Sequence, residues 1–280
     1  MRRSPTERVR SRLAEHAGDE VARSMPRGYQ QLGSVLLVRL PDELRPYFSV
    51  IGESWQEVLG ARTVLRPRGP VEGDWRLPSV DVIAGDETET EVLEHGIRYR
   101  FDAQRVLFSR GNKIERALAG RLVRPGETVI DLFAGIGYFA LPAAVRGRAQ
   151  KVIACEANPV AFRYLTENAR RNRVDHIIHP VAGDNRTVPL PQGTADRIFL
   201  GYLPSSLPWI GRALPLLRNE GGTMHVHLLA DVRGGRERAI DAVRAEIDRG
   251  GGRVTRIEAR KVKPYGPGRS HVVVDVSVGP

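Results

Sequence analysis

Residues 128–139, T-V-I-D-L-F-A-G-I-G-Y-F, constrain the fold of this chain more than any other stretch. A short apolar run, Val129-Ile130, carries straight into Asp131. Two glycines one residue apart, Gly135 and Gly137, follow, and a helical pattern opens at Tyr138. Strand, glycine turn and helix, in that order, is how a parallel α/β sheet lets backbone approach a ligand at the carboxyl end of a strand. Glycine permits the approach because it has no Cβ in the way. A glycine pair by itself is equally an ordinary βα turn, so its meaning depends on three later features.

The first is Val152-Ile153-Ala154-Cys155-Glu156, an apolar run ending in a carboxylate, which reads as a second parallel strand buried on both faces. An acidic residue there, roughly twenty residues past the glycine turn, suits a ribose diol. The second is Gly183-Asp184-Asn185 after a strand over residues 177–182. A carboxylate beside a carboxamide matches the mixed donors and acceptors of an adenine edge. The third is a fourth strand that starts at Asp196 and runs into a turn at Gly201-Tyr202-Leu203-Pro204. Four strand ends of one sheet converge on one crevice.

These residues resemble S-adenosylmethionine-dependent tRNA enzymes of the Rossmann-like methyltransferase fold. The carriers are D-L-F-A-G-I-G-Y-F, A-C-E-A-N-P, G-D-N-R and A-D-R-I-F-L-G-Y-L-P-S-S. Two sister families of that group modify the purine just 3′ of the anticodon. One methylates guanosine at N1. The other, in wybutosine synthesis, transfers the 3-amino-3-carboxypropyl group to 4-demethylwyosine of tRNA(Phe) and releases methylthioadenosine. Gly201-Tyr202-Leu203-Pro204-Ser205-Ser206 and Phe108-Ser109-Arg110-Gly111-Asn112 are similar to the aminocarboxypropyl family, whereas the methylating sister shows Asn-Leu-Pro after strand four. The resemblance implies a seven-stranded mixed sheet, S-adenosylmethionine as co-substrate, tRNA as partner and no metal. It carries Ser109 and, seven positions later, a basic residue onto the cofactor. That residue is Arg116 here, where lysine is usual. A guanidinium can clamp a carboxylate with two bonds, so Arg116 is expected near the methionyl carboxylate, on a helix face that loses no core residue if it is removed.

Composition sets the outer limits. With 280 residues, 41% hydrophobic and 27% charged, the chain belongs among globular proteins of one large or two ordinary domains. No apolar run approaches the ~18–20 residues that span a bilayer, and the basic start Met1-Arg2-Arg3 has no apolar signal core behind it, so a cytoplasmic protein is expected. The single cysteine, Cys155, reads as an inert core thiol. Net charge is +10, and it is uneven: residues 1–105 hold 16 Lys and Arg against 17 Asp and Glu, and residues 106–280 hold 27 against 16. A basic field on the ligand-binding half favours a nucleic acid. Arginine supplies 39 of the 43 cations, which fits a genome-wide bias as well.

Three segments follow. Residues 1–27 form a basic helical arm with an apolar stripe at Val9, Leu13, Ala17 and Val21, read either as a docking helix or as a loosely held arm. Residues 28–104 read as a small α+β domain with no catalytic constellation of its own, and the resemblance implies that a domain at this position supports tRNA recognition. It has strands over 34–40, 62–65, 78–84, 91–94 and 97–101, a helix within 44–59, and turns at Gly69-Pro70-Val71-Glu72-Gly73 and Glu94-His95-Gly96. Residues 105–280 form the catalytic domain. Asn112 or Ser109 is expected to cap a helix over 114–122, with Glu115 completing a capping box, and Asn158-Pro159 to start a helix running to Asn172. Ser205-Ser206 should cap a helix over 207–217, and two final strands, 254–262 and 270–278, should close the sheet. His225 and His227 alternate on one face of the fifth strand with no third ligand at metal spacing, so one of them is expected to pack or to face the substrate. The loop over 263–269, with Tyr265 among Lys263 and Arg269, is either an RNA contact or a surface hairpin.

Cofactor contacts are thus expected from Ser109, Arg116, Asp131, Gly135, Gly137, Glu156, Asp184 and Asn185, and substrate contacts from Tyr202, Pro204 and Ser205. Glycine at Gly201 is expected to open space for the base. No residue stands out as a general base, and no obligate protein partner is evident. Two other readings stay open: the N1-guanosine methyltransferase, and an RNA-binding protein that keeps the fold without turnover.

Overall fold

An apolar stripe one residue in four along the first helix has to find a partner, and it finds one within the N-terminal unit. In the computed structural model, which describes residues 4–69, 71, 73 and 75–280, helix α1 (Pro5–Ala17) opens on a capping box. Ser4 Oγ accepts from the Glu7 amide, and Glu7 Oε2 accepts from the Ser4 amide. Its Val9 and Leu13 are fully buried against Ile51 and Trp55 of α3 (Phe48–Leu59), after the short helix α2 (Asp19–Ser24). The helices of residues 1–27 therefore belong to this unit's core rather than to a separate arm. Met1-Arg2-Arg3, the Pro70 and Glu72 of the expected turn, and Asp74 lie outside the described residues.

The chain divides into two compact units, residues 1–93 with 98–108 and residues 94–97 with 109–280. In the first, β1 (Tyr29–Leu32), β2 (Val35–Val38), β3 (Thr63–Pro67) and β4 (Val80–Ala84) form a four-stranded sheet in that order. The strand expected over 34–40 is the second half of a hairpin: Gly33, at φ +56°, turns β1 back onto β2. Strands β5 (Glu89–Glu94) and β6 (Ile97–Asp102) pair with each other through His95-Gly96, both at positive φ (+52° and +80°).

The second unit is a seven-stranded mixed sheet. Its strands are β7 (Thr128–Asp131), β8 (Lys151–Glu156), β9 (Ile178–Ala182), β10 (Arg197–Leu200), β11 (Gly222–Asp231), β12 (Arg253–Pro264) and β13 (Arg269–Gly279). They lie in the order β12-β13-β11-β10-β7-β8-β9. From β11 to β9 the strands are parallel; β13 is antiparallel to both β11 and β12. The helices are α4 (Lys113–Leu122), α5 (Ala140–Val145), α6 (Pro159–Arg171), α7 (Ile210–Ala213) and α8 (Gly235–Arg249).

One sheet face is aliphatic: Ile130, Ile198, Met224, Val226, Val274 and Val276 pack with Ile210, Val243 and Ile247 of α7 and α8. Burial of apolar surface, at about 25 cal/mol per Å² removed from water, holds this face together. The expected helix over 207–217 is instead two 3-10 turns around the four-residue α7. Pro208 is tolerated in a first turn, but Pro215 lacks the amide that a continuous helix would need there.

Candidate active site

The sheet reverses direction of winding between β7 and β10: β8 follows on one side of β7 and β10 lies on the other. A crevice outside the carboxyl ends at such a switch point is where open α/β sheets bind ligands. The expected crevice residues sit there. Asp131 ends β7, Glu156 ends β8, Gly183-Asp184-Asn185 follows β9 and Gly201 follows β10.

The glycine turn is built tightly. Gly135 and Gly137 take φ +57° and +101°, and a Cβ on either would lie 2.6 Å from Tyr138 or 2.7 Å from Leu141. Glu156 pins this turn: Oε2 accepts from the Gly135 amide and Oε1 from the Asn158 amide, each at 2.7 Å. Burial raises the Glu156 pKa and these amides hold it back. Each oxygen keeps a further lone pair for a ligand. Asn158 meanwhile caps α6, its Oδ1 accepting from the Val160 amide at 2.9 Å.

Asp131 is fully buried. Oδ1 accepts from the Phe133 amide at 3.2 Å, whereas Oδ2 has no hydrogen-bond partner among the described residues. Burial first, then the nearby Glu156 charge, pushes its carboxyl up to about 7, against the pull of backbone amides. Asn185 shows the same incompleteness. Its Nδ2 donates to Leu132 O at 2.5 Å, and its Oδ1 is buried without a partner among the described residues. Two buried, unpartnered acceptor oxygens after β7 and β9 fit a ligand rich in donors, as S-adenosylmethionine is with its ammonium, ribose hydroxyls and adenine amine. Asp184 is different. It pairs with Arg186, whose Nε donates to both carboxylate oxygens at 3.0 and 2.9 Å, and that bonding holds its pKa below the usual range.

Arg116 has partners of its own within the chain. Its guanidinium is buried, with Nε 2.8 Å and Nη2 2.7 Å from Glu94 Oε2, and Nη1 donates to Ser109 O at 3.0 Å. It also lies 5.8 Å from the Tyr138 ring centroid, beside the glycine turn. Its removal would strand a buried carboxylate, so the expectation that this helix face tolerates the loss does not hold. The capping box at α4 is also absent. Asn112 makes no side-chain cap: the chain enters α4 through a 3-10 turn over Arg110–Asn112, which holds Asn112 at φ −96°, ψ 9° instead of the extended backbone of an N-cap, and the Glu115 side chain is taken by Arg260, which donates to both its oxygens.

Beyond β10, Ser206 organises the turn. Its Oγ accepts from the Tyr202 amide at 3.1 Å and lies 2.6 Å from Leu200 O. Ser205 Oγ accepts from the Leu207 amide at 3.3 Å, and Leu203-Pro204 is a cis peptide. Gly201 does not open space for a base: a Cβ there would meet the Phe139 ring at 2.6 Å. The glycine instead admits Phe139, which stacks on Phe199 at 5.2 Å between centroids. Sequence reasoning missed the neighbouring aromatic group. Phe133 stacks with Tyr202 at 5.2 Å and meets Trp209 edge-on at 5.1 Å, so Tyr202 is one wall of a three-ring platform. The phenylalanine inside D-L-F-A-G was the available signal.

The histidines also belong to a structure the sequence did not reveal. Arg197 binds Glu127 (2.7 and 2.9 Å) and donates to His225 Nε2 at 2.8 Å. An arginine only donates, so His225 carries its proton on Nδ1 and gives it to Asp275 Oδ1 at 2.5 Å. Asp275 Oδ2 accepts from Arg260 Nε at 2.8 Å, and Arg260 closes the chain on Glu115. The face opposite the aliphatic core is thus crossed by a row of ion pairs and hydrogen bonds from β10 to β12. His227 pairs with His271 at 2.9 Å, and burial holds both near pKa 3. Cys155 is buried, its thiol pushed up to about 12 mainly by desolvation. A cavity of about 500 Å³ lies at the far end of the sheet, at Thr128, Lys151 and Arg218, away from this crevice.

Comparison with known proteins bears directly on this geometry. A family model described as "TRM5/TYW2 methyltransferase domain" matches residues 90–251, and one described as "TYW2 N-terminal domain" matches residues 9–88. A tRNA(Phe) (4-demethylwyosine(37)-C(7)) aminocarboxypropyltransferase of Pyrococcus horikoshii is 35% identical over 271 residues, 97% of this chain and 96% of the relative. The crystal structure of P. horikoshii TYW2 in complex with MeSAdo superposes with a TM-score of 0.87 at 34% identity, covering 98% of this chain and 99% of that one. A tRNA (guanine(37)-N(1))-methyltransferase of Pyrococcus abyssi is 29% identical over 261 residues, 92% of this chain and 77% of the relative. By its fold, its matched domains and its full-length likeness to these enzymes, this chain belongs to the TRM5/TYW2 family.

Proposed function

We propose that this chain transfers the 3-amino-3-carboxypropyl group of S-adenosylmethionine to 4-demethylwyosine next to the anticodon of tRNA(Phe), in wybutosine-derivative synthesis. The observation that carries the reading is the match to an aminocarboxypropyltransferase along 97% of the chain, N-terminal unit included. No helix among the described residues is long and apolar enough to cross a membrane. With a tRNA substrate, a cytoplasmic setting follows as part of the same reading.

S-adenosylmethionine supplies a sulfonium that activates the methionyl methylene, so attack by a ring carbon of the base breaks the methylene–sulfur bond and expels methylthioadenosine, and the ring carbon then loses its proton to solvent. The protein's share is orientation, which can contribute several kcal/mol of the barrier. In this reading Glu156, fixed by two amides, offers its remaining lone pairs to the ribose, while Asn185 with the neighbouring Asp184 faces the adenine. Asp131 accepts from the amino-acid end, and Gly135 and Gly137 let backbone close on it. Ser109 meets that end too, and Arg116 holds the Ser109 carbonyl in place from its pair with Glu94. Tyr202 with Phe133 and Trp209 forms the wall on which the base stacks, worth about 1–3 kcal/mol per base. Pro204 and Ser205 shape the turn beside it.

The test is chemical. With S-adenosylmethionine labelled separately in the methyl and the carboxyl carbon, carboxyl label should enter tRNA carrying 4-demethylwyosine, and methylthioadenosine should accumulate. Methyl label in the RNA, with S-adenosylhomocysteine released, would assign the chain to the methylating branch.

A further inference from the structure

Strand β12 is the outer edge of the sheet, yet two of its side chains reach inward to the segment between Ser109 and Glu115. Arg260 binds both oxygens of Glu115, and Lys263 Nζ lies 2.7 Å from Ser109 Oγ. Residues three apart on a regular strand point to opposite faces. Here they do not, because the register slips between Lys261 and Lys263: Arg260 pairs with Val273, Lys261 with Val272, and Lys263 with His271. Val262 is the extra residue of a β-bulge, and bulges re-aim side chains in this way. Val273 and His271 are two apart on β13, so Arg260 and Lys263 share one face. Gly111 leaves room for the lysine stem, since a Cβ there would come within 3.1 Å of Lys263 Cδ.

The bond between Lys263 and Ser109 has a fixed direction. An ammonium has protons and no acceptor, so Ser109 Oγ must accept. The hydroxyl proton is then left for another acceptor. The Ser109 backbone is held as well: its carbonyl accepts from Arg116 Nη1 at 3.0 Å and from the Asn112 amide at 3.2 Å.

We propose that Lys263 is a positioning residue that turns the Ser109 hydroxyl into a donor for the anionic, amino-acid end of S-adenosylmethionine, with the Val262 bulge as the device that aims it. The inference rests on the reading that Ser109 contacts the cofactor. It predicts a side-chain role from an edge strand far in sequence from the glycine turn, and it predicts selectivity: the amino-acid end should feel Lys263, the nucleoside end should not.

Calorimetry with S-adenosylmethionine and with methylthioadenosine, which has no carboxylate, separates the possibilities. Lys263→Met and Ser109→Ala should each weaken S-adenosylmethionine about tenfold, the scale of a charge-assisted hydrogen bond, and leave methylthioadenosine unchanged. The double variant should be no weaker than either single one, because the two side chains act as one unit. Lys263→Gln, which keeps a donor, should recover part of the affinity and stands in if Lys263→Met fails to fold. Equal weakening of both ligands in a lysine variant would make Lys263 a structural residue and overturn the proposal. So would loss in Ser109→Ala without loss in the lysine variants, with Ser109 kept as a contact. No loss in Ser109→Ala would overturn the Ser109 reading itself.

Discussion

Asp131 is the residue in which fold and chemistry pull against each other most directly. A carboxyl fully buried at a strand end, with one oxygen unpartnered among the described residues, titrates near 7 instead of near 4. The folded state then binds a proton more readily than the unfolded state does. Its contribution to stability is fully present below the unfolded pKa and is lost as pH rises through about 7. Asp131→Asn, which cannot ionise, should gain on the wild type across that window by on the order of 2–4 kcal/mol, since each tenfold change in proton affinity corresponds to about 1.4 kcal/mol. Urea unfolding of both proteins at pH 4 to 9 cancels the groups they share. A difference that stays flat with pH would show an ordinary carboxyl. The buried histidines have the opposite sign: with pKa values depressed to about 3, they withdraw stability as pH falls below their unfolded value.

Among elements, α1 separates propensity from packing most clearly. Its cap is local: Ser4, Pro5 and Glu7 are start signals within four residues of one another. Its persistence is not local, because a 13-residue helix is marginal by itself in water. Burial of Val9 and Leu13 against α3 decides it. Leu13→Ala should destabilise the protein by about 2–5 kcal/mol, the range for a buried leucine, and should appear in hydrogen exchange as loss of protection over residues 5–24 together with α3. If only residues 5–24 lose protection and α3 does not, the helix is not part of that core. The same contrast runs through α6 and α4. Asn158 has the extended backbone of an N-cap and caps α6, whereas Asn112 does not and caps nothing, and Glu115 is drawn away by Arg260.

At the scale of the whole molecule, charge is the organising quantity. The excess of cations lies in residues 106–280, and the proposed substrate is a polyanion. Affinity for tRNA should fall steeply as salt rises, since each neutralised phosphate releases counterions. The chain crosses between its two units at 93/94, 97/98 and 108/109, so charge substitutions in the full-length protein are cleaner than fragments. Replacing exposed arginines of residues 106–280 by glutamine should flatten the salt slope, and the same number replaced within residues 1–105 should leave it. Filter binding from 50 to 400 mM salt, taken as about one decade of useful range, checks both. Equal flattening by the two sets would place the RNA field across the whole chain.

What the sequence determined by itself is whatever depends on neighbours along the chain. Period, glycine spacing and capping residues placed the strands of the sheet, the turn at Gly135 and Gly137, the N-cap of α6 and the acidic end of β8 at Glu156. Each of those is a backbone consequence of a few adjacent residues. Tertiary structure decided where side chains from distant strands compete. Arg116 is spent on Glu94 and not left open, Glu115 on Arg260 and not on a cap, and the space at Gly201 goes to Phe139. The row of partners from Glu127 through Arg197, His225, Asp275 and Arg260 to Glu115 joins residues as much as 145 positions apart. No local pattern encodes it. Buried charges must find partners wherever the sheet order brings them together, and that order is a property of the folded chain.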